Sequence, residues 1–254
     1  MKTFAAINVG SYEQTLKIYT ITKNNGIREV DWIRNRLDLG GTFATGKLSH
    51  EVMDELCAVL RNFVSIMEGY RVDDYRACAT SAIRETKNTA IVLDQIMQRT
   101  GVKLDVLSNS EQRFLDYKSI ASRGGFEKII EKGTLVVGIG GGSIQMSLFD
   151  KDKLSATQNM RLGVLRLQEK MSRLNVRPSE NGPLLEELLE AQLSVFRKMY
   201  LKDRVIENII VVDDYISALI LGKLGKVAGS GYLDRDSMAS YMNYLHDHTD
   251  MEIV

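Results

Sequence analysis

The chain has 254 residues, 44% of them hydrophobic and 26% charged, and its 33 basic and 33 acidic side chains leave a formal net charge of zero. Such a composition supports a real core, and the length suits one large domain or two small ones. The charge balance speaks against a non-specific nucleic-acid or polyanion binder, which carries a basic excess, while leaving room for a local basic cleft.

The opening run, residues 1–7, is too short and too soon polar for a signal peptide. No apolar run nears the ~20 residues that span a bilayer. A cytoplasmic protein without a membrane partner is expected. Cys57 and Cys78 lack a CxxC spacing and read as two buried thiols of a reducing compartment.

In chain order, residues 3–9 form a short apolar strand that runs into Gly10 and Ser11. Residues 15–22 alternate as a second strand, Asn24-Asn25-Gly26 signals a hairpin, and residues 27–37 complete an antiparallel meander. Ser49 is placed to cap a helix in which Val52, Leu56, Val59, Leu60, Phe63 and Met67 recur at helical spacing. A buried strand is expected at 74–80, helices at 88–100 and 110–121, and a short strand at 104–107. The second half repeats the opening. An apolar strand at 135–139 meets Gly140-Gly141-Gly142-Ser143, and strands at 144–149 and 154–161 follow. Helices are expected at 164–173 and 183–202, a strand at 209–212, a short helix at 215–225 and a weak one at 236–245. The chain therefore reads as two halves of like order, residues 1–124 and 125–254, an internal duplication without a short-period repeat.

Five blocks, in order, resemble the exopolyphosphatase/guanosine pentaphosphate phosphohydrolase (Ppx/GppA) family. Ala6-Ile7-Asn8-Val9-Gly10-Ser11 is similar to its first phosphate loop, a strand ending D-x-G-S-N-S. Residues 36–49 resemble its next block, and Ala79-Thr80-Ser81-Ala82-Ile83-Arg84-Glu85-Thr86-Lys87-Asn88 its A-T-S-A-x-R-E-A-x-N segment. Residues 136–143 resemble its second phosphate loop, D-x-G-G-G-S, and residues 161–167 its L-x-x-G-x-x-R-L segment. The resemblance implies an α/β fold of two ribonuclease-H-like, actin-like ATPase lobes, each built on a mixed five-stranded type of sheet with flanking helices and facing a ligand cleft. It also implies phosphate contacts from Gly10, Ser11, Arg84, Gly140, Gly141, Gly142 and Ser143, with Arg166 as a second retained arginine. Glycine-serine turns let backbone N–H groups approach phosphate oxygens. In the family an aspartate before each turn holds Mg2+, and a glutamate on an acidic helix orients the attacking water.

The departures fall on that chemistry. Asn8 stands where the first aspartate is expected, a degenerate metal position, and Gly138 where the second is expected. Tyr12 and Glu13 are bulkier than the small polar residues of the family loop. The acidic helix G-x-E-E-A-R is matched by Asn109-Ser110-Glu111-Gln112-Arg113-Phe114. Gln112 falls on the base position, with Glu111 one residue away and about 100° round the helix. A late glycine-glycine-threonine turn is replaced by Asp213-Asp214, and the family's core runs beyond Val254, so short or absent last helices are expected. His246 and His248 read as a solvated tail. The expected function is a catalytically impaired relative that binds a polyphosphate or guanosine polyphosphate-like ligand, or a protein partner, through the old cleft. A homodimer or pairing with an active paralogue is implied. The alternative is an active Mg2+-dependent exopolyphosphatase, for which Glu13, Glu111, Asp213 and Asp214 are the carboxylates available. A third reading is another member of the superfold, such as a sugar kinase or an actin-like filament protein.

Overall fold

A computed structural model describes residues 1–23, 26–175, 177–212 and 234–247. The chain divides into two compact units, Met1–Val211 and Val212–Val254.

The first unit opens with the expected meander. Strands β1 (Lys2–Val9), β2 (Glu13–Thr22) and β3 (Gly26–Arg36) are joined on the far side of β1 by the parallel strands β4 (Asp74–Ala79) and β5 (Leu104–Val106). The sheet order is β3-β2-β1-β4-β5. Alternation decides what is buried. Ala5, Ile7 and Val9 on β1, Leu16 and Ile18 on β2, and Ala77 and Ala79 on β4 share one face. Helices α2 (His50–Gly69) and α4 (Thr89–Thr100) contribute to the same core. Ser49 caps α2 by accepting the Val52 N–H at 3.3 Å, and Met53, Leu56, Leu60, Phe63 and Met67 form its buried stripe. Each such side chain contributes about 1.5–3 kcal/mol of burial.

The second sheet is ordered β8-β7-β6-β9, from β6 (Thr134–Ile139), β7 (Ile144–Asp150), β8 (Lys153–Met160) and β9 (Asn208–Val212). One face buries Leu135, Met146, Leu148 and Met160 together with Phe196. Phe196 ends helix α8 (Pro178–Phe196), which runs on into a π-helical turn, Arg197–Leu201. The other face meets α5 (Asn109–Ser122) and α6 (Phe126–Ile130). Tyr117 and Phe126 lie edge-on to Phe149, and the Tyr117 hydroxyl donates to Ser147 Oγ at 2.5 Å. Helix α7 (Val164–Leu174) follows β8.

Three short helices were not expected: α1 (Gly41–Thr45), α3 (Ser81–Glu85) and α6. Each is little more than one turn, too short to show a period. Pro183, expected to open a helix, lies inside α8, because Pro178 occupies the first helical position, where a fixed φ suits it. Asn24 and Asn25 of the hairpin turn, Asp213, Asp214, the 215–225 helix and His248 lie outside the described residues, as does the side chain of His246. In the second unit the described element is α9 (Arg235–Asp247), whose start is fixed by Asp234 accepting the Ser237 N–H at 2.9 Å. No described helix is long and apolar enough to cross a membrane.

Candidate functional site

After β1 the chain turns through Gly10, Ser11 and Tyr12. The Gly10 N–H donates to the Glu13 carbonyl at 2.9 Å, and a Cβ on Gly10 would stand 2.6 Å from that oxygen, so the turn admits only glycine. Ser11 is 5% exposed. Its hydroxyl pairs with that of Ser81 at 2.8 Å and accepts the Ala82 N–H at 3.2 Å. The turn is thereby anchored on the start of α3. Glu13 is buried and accepts both arms of Arg34, at 2.9 and 2.7 Å, a bidentate pair that leaves little of the carboxylate for a metal.

The second turn is held from behind. The Gly140 N–H donates to Ser143 O at 3.0 Å. The Gly140 and Gly141 carbonyls accept the N–H groups of Val164 and Leu165, at 3.2 and 3.0 Å, and the Gly142 carbonyl accepts Arg166 Nε at 2.6 Å. The N–H groups of Gly141 and Gly142 find no acceptor among the described residues. The two turns meet directly. A Cβ on Gly141 would lie 3.1 Å from Ser11 Cβ, and one on Gly142 would collide with Ser81 Oγ and stand 2.6 Å from the Phe43 ring. Gly10, Ser11 and Gly140 to Ser143 are thus brought together.

The expected chemical groups take other places. Asn8 is exposed on the outer sheet face, in register with Thr15 on one side and Cys78 on the other, with Asp105 next in the row. Cys78 is therefore only partly buried, contrary to expectation, because strand alternation turns it away from α2. Burial raises its thiol pKa, against the lowering influence of Arg76, so it is not an activated thiolate. Gly138 pairs with Gln145, and Gln145 with Asn159. The side-chain oxygens of Gln145 and Asn159 are buried without a hydrogen-bond partner among the described residues.

Glu111 closes a capping box on α5. Its carboxylate accepts the Ser108 N–H at 2.8 Å while Ser108 Oγ accepts the Glu111 N–H at 3.2 Å. The Ser108 backbone bond, then the Ser108 side chain, hold its pKa below the usual carboxylate range. The sequence Ser108-Asn109-Ser110-Glu111 carries the capping-box signature, a signal that the family alignment obscures. Gln112 is half-buried; its backbone N–H donates to the Ser108 carbonyl at 3.0 Å, and its side chain makes no hydrogen bond to the described residues. Arg84 donates to the Leu107 carbonyl at 2.7 Å, and burial pulls its pKa down, with Glu85 opposing.

Glu85 and Phe43 escaped the sequence reading. Glu85 accepts Arg161 at 2.8 Å and makes a close ion pair with Arg166, whose guanidinium lies 4.0 Å from the Phe43 ring centroid. Glu85 was visible inside the Ala79 block, but its partners are 76 and 81 residues away. The donors do not fit Mg2+, which asks for one or two carboxylates beside its waters. Asn8 offers a neutral oxygen, Gly138 none, and among the described residues no three His, Cys, Asp or Glu side chains converge.

The model of the Ppx/GppA phosphatase family matches residues 23–213. Exopolyphosphatase 1 of Mycobacterium leprae is 26% identical over 154 residues, 60% of this chain and 44% of that protein. A guanosine-5'-triphosphate,3'-diphosphate pyrophosphatase of Photobacterium profundum is 25% identical over 181 residues, 70% of this chain and 35% of that protein. The chain thus spans less than half the length of these curated relatives. An exopolyphosphatase from Cytophaga hutchinsonii superposes with a TM-score of 0.77 at 18% identity, over 99% of this chain and 82% of that one. The Ppx/GppA family member of Aquifex aeolicus gives 0.72 at 20% identity, over 99% and 81%. These likenesses establish the fold, a two-lobed actin-like α/β architecture.

Proposed function

Because the chain belongs to the Ppx/GppA phosphatase family, we propose that it is a catalytically impaired member that binds a phosphorylated ligand, of the polyphosphate or guanosine polyphosphate kind, in the cleft at its two glycine turns. The observation that carries the reading is the Glu111 carboxylate, closed in a capping box beside Gln112. A carboxylate so held and acidified is a poor general base. The N–H groups of Gly141 and Gly142 would donate to phosphate oxygens, with Ser11 and Ser143 framing the turns and Arg84 adding positive charge. Asn8, Gly138 and Gln112 bring no negative charge to repel the ligand. The two turns fall in the two halves of the chain, Gly10 and Ser11 within residues 1–124 and Gly140 to Ser143 within 125–254. A homodimer, or pairing with an active paralogue, would put such a binder to regulatory use.

The test is phosphate release from long-chain polyphosphate with Mg2+, by the natural protein and by the variant Asn8→Asp/Gly138→Asp/Gln112→Glu. The natural protein is expected to bind polyphosphate and release nothing measurable, and the triple variant to gain release. Losing one preorganised charged group commonly costs ~10²–10³ in rate. Release by the natural protein at the rate of the variant would overturn the impairment and leave the active, Mg2+-dependent alternative.

A further inference from the structure

We propose a second anion site, adjoining the glycine turns through Arg166 and Phe43 but lined by other side chains: a cavity of about 230 Å3 beside α7 that takes inorganic pyrophosphate or a similar small diphosphate. Its polar lining is Arg161, Arg166, Lys170, Arg173 and Glu169, over a floor that includes Phe43. Arg166, Glu169, Lys170 and Arg173 sit three, four and seven residues apart, so one face of α7 presents them together, and Arg161 approaches from the end of β8. The volume is well above the ~10–15 Å3 that a single water needs, which leaves room for a hydrated diphosphate.

Charge decides the ligand's sign. Four cations face two carboxylates, Glu169 in the lining and Glu85 behind Arg161 and Arg166. The cavity thus keeps a surplus of two positive charges in a chain whose formal net charge is zero. The Lys170 ammonium makes no ion pair or hydrogen bond to the described residues. Arg161 and Arg173 each use one guanidinium nitrogen on a carboxylate and retain further N–H donors. Planar forks beside a free ammonium suit the closely spaced oxygens of a phosphoanhydride better than a single carboxylate. The Phe43 ring is already covered by Arg166. Arg166 thus takes one face of the ring that a nucleobase could stack on, which favours the bare diphosphate. None of this rests on the activity proposed for the turns.

The experiment is calorimetric titration of inorganic pyrophosphate into the natural protein, into Lys170→Glu/Arg173→Glu, and into Gly138→Asp. Both reversed side chains are exposed, and a thermal melt checks that folding is unchanged. The expected result is saturable binding by the natural protein, weakened at least about tenfold by the double reversal and unaffected by Gly138→Asp. No saturable binding to the natural protein would overturn the site. Loss in Gly138→Asp with none in the double reversal would also overturn it, assigning the pyrophosphate to the glycine turns instead.

Discussion

Two glycines of the second turn region leave very different room for a side chain. At Gly142 a Cβ would collide with Ser81 Oγ and press on Phe43, while at Gly138 the nearest atom, Gln145 Cβ, is 3.8 Å away. Gly142→Ala is therefore expected to destabilise by about 1–3 kcal/mol through overpacking, read as a lower urea midpoint. Gly138→Asp should cost clearly less, because its Cβ enters ordinary van der Waals space. Equal losses in the two variants would mean that the Ser81 and Phe43 side chains yield freely. The point bears on function. The aspartate that the family places at position 138 is missing for want of the residue and not for want of room.

At the scale of elements, α5 shows how one helix start sets a chemical role. Glu111 has its pKa lowered by the Ser108 N–H. A carboxylate depressed in the folded state adds stability that is fully present above its unfolded pKa, about 4.3, and is lost as pH falls through the lower folded value. Glu111→Gln keeps an amide oxygen for the cap but removes the titration. The natural protein should be the more stable of the two at neutral pH, and the gap should close as the solution is acidified below about pH 4. A gap of constant size in urea melts across that range would show that Glu111 is not the titrating cap. Elements of this length were legible. The cap at Ser49 and the stripe of Leu56, Leu60, Phe63 and Met67 are written in local spacing, whereas the cap at Ser108 was hidden by the family alignment, which drew the helix start to Ser110. The one-turn helices α1 and α3 were not legible, because packing against the turns decides them and a single turn carries no period. The site was legible where it is contiguous, as at Gly10, Ser11 and Gly140 to Ser143. It was illegible where it depends on pairs 70 to 81 residues apart, such as Ser11 with Ser81 and Glu85 with Arg166.

Those distant pairs hold the first unit together as a whole. Glu85, at the end of α3, belongs to the segment following the first sheet's β4, and Arg161 and Arg166 follow the second sheet's β8. Glu85 and Arg166 are 19% and 17% exposed, whereas Arg161 is 70% exposed. The two ion pairs should therefore differ in weight. Arg161→Ala removes a solvent-screened contact and is expected to change stability by less than about 1 kcal/mol. Glu85→Ala leaves the half-sunken Arg166 without its counter-charge, while Arg166 still holds the Gly142 carbonyl. A loss on the order of 2 kcal/mol follows, and since the pair bridges the two sheets, it should come with a broader urea transition as they lose cooperativity. Both quantities come from one denaturation curve. A Glu85→Ala protein that unfolds at the natural midpoint with an unchanged slope would place the joint elsewhere, in the packing of Leu165 against Gly40 and Gly141. A shift equal to that of Arg161→Ala would make Glu85 a surface partner with no special hold on the junction.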